Sequence, residues 1–330
     1  MAANAAANLA QKFMGDAEPH DLAATPETSN PSKRPEWADP SGEKMKALAW
    51  FGKNDVKVIE TYKPAIVDPD DVIVKVTGST ICGSDLHLYH GSIIQIQKGD
   101  ILGYILPKPL CFGCEANDRH EYCGIVDKIG PSVTKVKPGD RVVASFQIAC
   151  GSCRYCKQKI SSMCERTNNS SVENAMYGHR TAGMLGYSHF TGGYAGGQAE
   201  FVRMPFGDVN LLKIPEGLSD EQALYLSDVL PTSYNCVVDT GVEKGDVVAI
   251  WGMGPIGLFA AQWAFIKGAS RVIGIDANWR LEYAKKKLPK IETINYKQVK
   301  SVKAAIDELV PGGLDVALEC AAGIIPHKYV

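Results

Sequence analysis

A strand–turn–helix–strand pattern in the second half of the chain constrains the fold more than any other feature. The apolar run DVVAIWG leads into a glycine turn, the helical segment PIGLFAAQWAFIKGA follows, and RVIGID comes next. Strands that alternate with helices in this way form a parallel sheet with crossover helices. NWRLEYAKKKL and GLDVALEC extend the alternation, so residues 219–330 are predicted to form a parallel α/β domain.

The glycine turn in this pattern has the spacing of a dinucleotide-binding loop. Its glycines permit a tight turn and let backbone N–H groups approach a pyrophosphate at the helix N-terminus. Asp276 ends the next strand, where its carboxylate can accept the ribose hydroxyls of NAD and repel a 2′-phosphate, so NAD is predicted over NADP. Arg280 nearby leaves room for NADP, and a glycine turn without a ligand is the alternative. The predicted cofactor-binding residues are Gly252, Gly254, Pro255, Ile256, Gly257, Asp276 and Arg280.

Four cysteines lie close together as Cys150-x2-Cys153-x2-Cys156-x7-Cys164. Four thiolates can surround one tetrahedral Zn²⁺ at roughly 2.3 Å each, which closes the site to water. Such an ion can contribute roughly 10–16 kcal/mol of apparent free energy and order a lobe with little core of its own. A structural zinc site is therefore predicted. Free or disulfide-paired thiols and iron–sulfur ligation are the alternatives, and the surrounding sequence does not favour the last.

The segment before the α/β domain is rich in β-strand patterns. MKALAWFGKNDVKVIE and DDVIVKVTGST are each predicted to be a half-buried strand, and EYCGIVDKIG, DRVVASF and AEFVRM follow between turn signals. Residues 45–218 are therefore predicted to form a β-rich domain. Residues 1–44 are rich in Ala, Pro, Ser, Asn and Asp without an apolar period, and are predicted to be a disordered leader.

Composition excludes several classes of function. The chain has 330 residues, with 45% apolar residues, 22% charged residues and a net charge of −2. This balance indicates a globular protein without a nucleic-acid partner. No apolar run of about eighteen residues is present, so no membrane span is predicted. Without a signal peptide a cytoplasmic location is predicted, where clustered cysteines favour metal over disulfides.

Several further motifs occur in a fixed order along residues 45–322: ICGSDLH, an interrupted Gly-His-Glu, GGQAEFV, PFGDVNLLKIP, LSDVLPTSY and GMGPIG. Each piece is weak evidence alone, because an isolated Cys or His is more often a packing residue. Together with the four cysteines they resemble the zinc-dependent medium-chain alcohol dehydrogenases, nearest the glutathione-independent formaldehyde-dehydrogenase-like branch. The resemblance implies a GroES-like catalytic domain, a Rossmann domain and a homo-oligomer.

The resemblance also implies an active site. It places a catalytic zinc on Cys82, His120 and Asp228, an adjacent acidic residue at Glu121, and a proton relay at Ser84 and His87. Three protein ligands leave the fourth zinc position open to substrate.

The implied reaction is hydride transfer from a small primary alcohol or hydrated aldehyde to NAD. The alternatives are a non-catalytic or vestigial zinc-binding protein, and a polyol or sugar dehydrogenase of the same superfamily.

Two segments do not fit the resemblance. Residues 104–119 separate Gly103 from His120, and three accounts of them are a loop insertion, a third metal or redox site at Cys111 and Cys114, and a translated intron. The intron hypothesis is preferred, because the reading frame survives removal and the flanking codons can encode splice signals. Residues 323–330 are an atypical tail after a Rossmann domain predicted to be C-terminally truncated. We therefore expect this form to be poorly soluble or inactive and its oligomerisation doubtful.

Overall fold

The computed structural model describes residues 29–79, 83–103 and 121–321, together with Ala6 and Leu9. Of Gly83 and Ser84 it describes the backbone alone. The hypotheses about residues 104–119 and 323–330 therefore lie outside the described residues. The chain divides into two compact units, Met1–Ser227 and Asp228–Val330.

The first unit is built mainly from antiparallel strands. A five-stranded sheet has the order β8-β3-β4-β5-β9, while β1 pairs with β2 and β6 pairs with β7. The strands are β1 (Lys44–Gly52), β2 (Asp55–Tyr62), β3 (Val72–Ser79), β4 (Tyr122–Ile129), β5 (Arg141–Ala144), β6 (Gln147–Ile148), β7 (Gly183–Met184), β8 (Phe201–Met204) and β9 (Leu211–Lys213).

Short helices connect these strands. The α-helices are α1 (Gly83–Tyr89), α2 (Arg154–Lys157), α3 (Ser171–Tyr177), α4 (Gly207–Asn210) and α5 (Asp220–Ala223). The 3-10 helices are Pro31–Lys33, Pro35–Trp37, Ser161–Met163, His189–Thr191 and Leu224–Leu226. The core between the sheet and these connections includes Val74, Tyr122, Val142 and Met204, all at most 1% exposed.

The stretch MKALAWFGKNDVKVIE forms two strands, although its alternating pattern predicts one. β1 and β2 are a hairpin in which Trp50 faces Val56 and Gly52 faces Asp55. Asn54 has a φ of 59° in the turn, a left-handed conformation that Asn tolerates better than most residues. The chain reverses at Lys53 and Asn54, so the stretch forms two strands. Both strands of the hairpin continue the same alternation of apolar and polar residues, and the alternation alone therefore does not reveal the turn.

Residues 29–43 are folded, which corrects the prediction of a disordered leader as far as residue 44. Asn30 accepts a hydrogen bond from Ser32 N–H (2.9 Å), which caps the first 3-10 helix, and Pro35 begins the second. Trp37 is 4% exposed. The buried Trp37 side chain gives this segment a hydrophobic anchor, which the polar composition of residues 1–44 does not indicate. This anchor orders the segment.

The second unit contains a parallel sheet of order β12-β11-β10-β13 with helices between successive strands. Its strands are β10 (Val247–Trp251), β11 (Arg271–Asp276), β12 (Glu292–Asn295) and β13 (Val316–Glu319). Its helices are α6 (Val229–Asp239), α7 (Pro255–Lys267), α8 (Trp279–Lys287) and α9 (Val302–Leu309). The order reverses at β10, so the β10–β13 boundary is the kind of switch point where open α/β sheets bind ligands.

Residues 219–227 group with the first unit, although the change of periodicity predicts the domain boundary before them. Ser219 caps α5 in a reciprocal capping box with Gln222, as the sequence pattern indicates. Asp220 forms an ion pair with Arg141, and Leu224 packs against the core of the first unit. These contacts hold the segment to the β-rich part of the chain.

The predicted fold class is confirmed. A sheet-rich unit precedes a unit with a parallel sheet and alternating helices. Within the described ranges, every helix is too short or too polar to cross a lipid bilayer.

Candidate zinc and dinucleotide sites

The structure brings the four clustered cysteines together. Their Sγ atoms all lie within 4.8 Å of one another. Cys150 Sγ is 4.0 Å from Cys156 Sγ, and Cys153 Sγ is 3.9 Å from Cys164 Sγ. Four sulfurs at the Zn–S distance of a tetrahedral site would be separated by about 3.8 Å. The donor set and its spacing therefore fit Zn²⁺.

Local structure places each of these sulfurs. Cys150 follows the short strand β6, Cys153 is the residue before α2, Cys156 lies within α2, and Cys164 follows a 3-10 helix. Gly151 has a φ of 74°, so a residue with a free left-handed conformation makes the turn between the first two ligands.

The electrostatics of the cluster favour a metal ion. The hydrogen bond with Cys164, together with backbone N–H groups of Ser152 and Cys153, lowers the pKa of Cys150 to about 4. Burial raises the pKa of Cys156, and the bond to Cys150 raises that of Cys164. The Cys150 thiolate is thus stabilised, whereas the thiols of Cys156 and Cys164 hold their protons more strongly. A divalent cation would satisfy all four sulfurs, because it displaces those protons.

The glycine turn between β10 and α7 has the shape that dinucleotide binding requires. Gly252 has a φ of 89°, and a Cβ there would lie 2.7 Å from the backbone of Ala321. A Cβ on Gly257 would lie 1.9 Å from the carbonyl oxygen of Gly252. Among the described residues, no atom lies within 4 Å of the Cβ position of Gly254. Two glycines are thus required by packing, whereas Gly254 faces open space at the start of α7, where a pyrophosphate can approach.

Asp276 and Arg280 lie beside this turn, as the sequence predicts. Asp276 Oδ2 accepts a hydrogen bond from Met253 N–H (2.7 Å), which ties the end of β11 to the glycine turn. Arg280 NH1 is 3.5 Å from Asp276 Oδ1. Pro255 and Ile256 form the first turn of α7, where Pro lacks only an N–H that has no helical partner. These residues fit the adenosine half of a dinucleotide.

The residues predicted for the catalytic zinc are not brought together by the described residues. Cys82 and His120 lie outside them, and Asp228 belongs to the second unit. Asp228 precedes α6 and accepts a hydrogen bond from the Thr232 hydroxyl. The catalytic zinc therefore stays a prediction.

The predicted relay and acidic positions are described in part. Ser84 and His87 lie on α1, where His87 is exposed. Glu121 is fully buried directly before β4, and its carbonyl oxygen accepts a hydrogen bond from Ser79 Oγ (3.0 Å). A fully buried carboxyl group is unusual, and the role of Glu121 as the acidic residue beside the catalytic zinc stays a prediction.

A polar cluster of exposed Lys33 with buried Asp100 and His189 was missed by the sequence analysis. Asp100 Oδ1 lies 2.7 Å from Lys33 Nζ and 3.3 Å from His189 Nε2. Burial raises the pKa of Asp100, but the hydrogen bond and charge of His189 and the charge of Lys33 outweigh it and lower the pKa to about 2. Three residues this far apart in sequence carry no local signal of their contact.

Comparison with known proteins assigns both units. The family model of the alcohol dehydrogenase GroES-like domain matches residues 68–216. The family model of the zinc-binding dehydrogenase matches residues 255–326. A zinc-type alcohol dehydrogenase-like protein of Schizosaccharomyces pombe is 43% identical over 297 residues, which cover 89% of this chain and 66% of that protein.

A solved structure gives the same assignment. The alcohol dehydrogenase of Thermus sp. ATN1 superposes with a TM-score of 0.71 at 36% identity, over 84% of this chain and 71% of that chain. The chain belongs to the zinc-dependent medium-chain alcohol dehydrogenase family. This family member is also similar to a glutathione-independent formaldehyde dehydrogenase of Pseudomonas aeruginosa, at 36% identity over 73% of the chain and 56% of that enzyme.

The predicted family is therefore confirmed, and this dehydrogenase-family chain spans about two thirds or less of the length of these two curated relatives. The match to the GroES-like domain contains the four-cysteine cluster, and the match to the zinc-binding dehydrogenase begins at Pro255, directly after the glycine turn.

Proposed function

We propose that this chain is a zinc- and NAD-dependent dehydrogenase that oxidises a small primary alcohol or a hydrated aldehyde. The observation that carries the proposal is the glycine turn: Gly254 faces open space at the start of α7, and Asp276 is tied to the same turn. This is a cradle for a dinucleotide, which is the hydride acceptor that such a reaction needs.

The active-site part of the proposal rests on the family motifs. Cys82, His120 and Asp228 would hold a zinc ion whose chemistry is to polarise the oxygen of the bound alcohol and acidify its hydroxyl. Ser84 and His87 would pass the hydroxyl proton to solvent while the carbon-bound hydrogen leaves as hydride to the nicotinamide.

The supporting residues have distinct tasks in this scheme. The buried carboxyl group of Glu121 would balance the positive charge of the metal from the neighbouring position. Exposed His87 is suited to be the last member of a proton relay, since it reaches water. The four-cysteine cluster has no open position and would be a structural site, because all four of its donors are protein sulfurs.

Metal content and turnover of the whole chain test the proposal together. The proposal requires that the wild type contain two zinc ions per chain and reduce NAD with short primary alcohols or formaldehyde hydrate, which also tests the inactivity expected from residues 104–119 and 323–330. Asp228→Ala should lose one zinc and the turnover. Asp239→Ala, an exposed acidic residue at the end of the same helix, should change neither.

The alternatives give other results. One zinc per folded chain and no turnover would contradict the proposal and favour a non-catalytic zinc-binding protein. Turnover of polyols in preference to primary alcohols would instead move the substrate to the polyol and sugar class.

A further inference from the structure

Asp276 has a structural task besides any contact with a cofactor. Its Oδ2 atom accepts a hydrogen bond from Met253 N–H (2.7 Å), and its Oδ1 atom accepts one from Ala277 N–H (2.6 Å). The residue is only 7% exposed. Both carboxylate oxygens are thus engaged by the main chain, and the negative charge is set back from solvent.

Arg280 lies in front of this carboxylate. Its NH1 atom is 3.5 Å from Asp276 Oδ1, and its side chain is 40% exposed whereas that of Asp276 is 9% exposed. The pair has no net charge, and its positive member is the outer one. An anion that approaches from solvent therefore meets the guanidinium before the carboxylate. The repulsion by which a lone aspartate rejects a 2′-phosphate is offset at close range.

Trp279 holds the guanidinium in this position. The guanidinium carbon of Arg280 lies 5.1 Å from the centroid of the Trp279 ring, a separation typical of cation–π contacts. Asn278 has a φ of 51° and turns the chain so that α8 begins at Trp279. Trp279 is 49% exposed, although a tryptophan usually buries most of its surface.

We propose that this chain binds a dinucleotide with a 2′-phosphate about as tightly as one without it. Arg280 is the residue that contacts the phosphate, since its planar fork of donors matches phosphate oxygens. Trp279 is a positioning residue that acts through Arg280. The inference rests on the proposed function, because it concerns the adenosine end of the cofactor named there.

Equilibrium binding to the full chain tests this without reference to turnover. Fluorescence titrations with NADH and with NADPH should give dissociation constants within about tenfold of each other. Arg280→Leu should weaken NADPH binding by about tenfold or more and leave NADH binding nearly unchanged, since it removes a charge-assisted hydrogen bond. Arg280→Gln should act in the same direction.

The same helix offers a matched control. Lys287 Nζ lies 5.6 Å from the ring centroid of Tyr283, so this pair repeats the cation–aromatic contact farther along α8. Lys287→Leu removes one positive charge and should leave the ratio of the two dissociation constants unchanged. Trp279→Ala should raise the ratio of the NADPH dissociation constant to the NADH dissociation constant about two- to fivefold. Trp279→Phe should return this ratio to the wild-type value.

The outcomes separate this inference from the proposed function. NADH binding with NADPH bound more than about tenfold more weakly would overturn the inference alone, as would a ratio that Arg280→Leu does not change. A folded chain that binds neither dinucleotide would overturn the dinucleotide site and the inference with it.

Discussion

At the scale of single residues, sequence spacing predicts contacts between neighbours and misses those between distant residues. The four cysteines lie within one short segment, and their spacing alone indicates a shared ion whose geometry the sulfur positions match. Lys33, Asp100 and His189 come from three separate segments, so nothing in the sequence links them. Each residue type is common at protein surfaces, and only the fold brings Lys33 and His189 to the buried carboxylate of Asp100.

Cys164→Ser should remove the structural zinc. Cys164 is fully buried, and a neutral hydroxyl there cannot replace a thiolate ligand. We expect the metal content of the purified chain to fall by one zinc ion, measured by atomic emission. Cys236→Ser, which changes a half-buried thiol outside the cluster, is the control and should keep the full content. Equal metal content in both variants would argue against the site.

The polar cluster around Asp100 should make the free energy of unfolding depend on pH in the acidic range. The folded pKa of about 2 lies below the ordinary value of 3.8, so the carboxylate stabilises the fold above the ordinary value and loses this effect as pH falls toward 2. The shift corresponds to about 2 kcal/mol. The difference in unfolding free energy between the wild type and Asp100→Asn should shrink by about this amount as the pH falls from about 5 toward 2. Urea unfolding at each pH measures it, and a difference independent of pH would refute it.

At the scale of elements, periodicity predicts the strands and helices, while turns and anchors decide where they begin and end. The alternation in residues 45–60 is real but continues through a hairpin, because Asn54 accepts the left-handed conformation of the turn. The leader was predicted to be disordered from its composition, yet one buried tryptophan orders its last part. The two prolines that begin the 3-10 helices are the sequence signal that could have predicted local structure in this segment.

Alanine substitutions of two glycines in the same turn should have different effects: one should lower stability and the other should lower NADH affinity. Gly257→Ala places a Cβ 1.9 Å from a carbonyl oxygen and should cost about 1–3 kcal/mol of stability. The new methyl group of Gly254→Ala meets no atom of the described part of the chain within 4 Å, so stability should stay within about 0.5 kcal/mol. NADH affinity of Gly254→Ala should nevertheless fall by about tenfold or more, because the methyl group occupies the approach of the pyrophosphate. Thermal unfolding and fluorescence titration test both; unchanged NADH binding would count against the cradle.

Trp37→Ala should destabilise the first unit by about 3–5 kcal/mol, the usual cost of deleting a buried tryptophan side chain. Trp37 is 4% exposed, and its carbonyl oxygen accepts a hydrogen bond from Ala65 N–H (2.9 Å). Glu36→Ala changes an exposed neighbour in the same 3-10 helix and should have little effect. Chemical unfolding compares the two, and similar midpoints would show that the docked leader contributes nothing.

At the scale of the whole molecule, the sequence predicts two architectures in the correct order. The change from alternating to helical periodicity marks two kinds of sheet, and the structure contains both. The boundary between them falls after residue 227, later than the pattern indicates, because ion pairs and packing of Asp220 and Leu224 are tertiary contacts that periodicity does not record. Each unit has a hydrophobic core of its own.

The two cores should unfold in two calorimetric transitions that ligands shift separately. NADH at about a hundredfold excess over its dissociation constant should stabilise the transition of the second unit by about 2.7 kcal/mol. A zinc chelator should lower the transition of the first unit, which contains the four cysteines. A single transition that both reagents move would contradict this.

The reversed strand order at β10 has a consequence for how the chain assembles. This central strand pairs on one side with β11, the next strand to be synthesised, and on the other with β13, the last described one. The edge of β10 that pairs with β13 therefore stays unpaired while two further strands and three helices emerge from the ribosome. During that interval the most apolar strand of the unit offers unpaired main-chain groups, so the nascent protein is most exposed to mispairing at the centre of its sheet rather than at its rim.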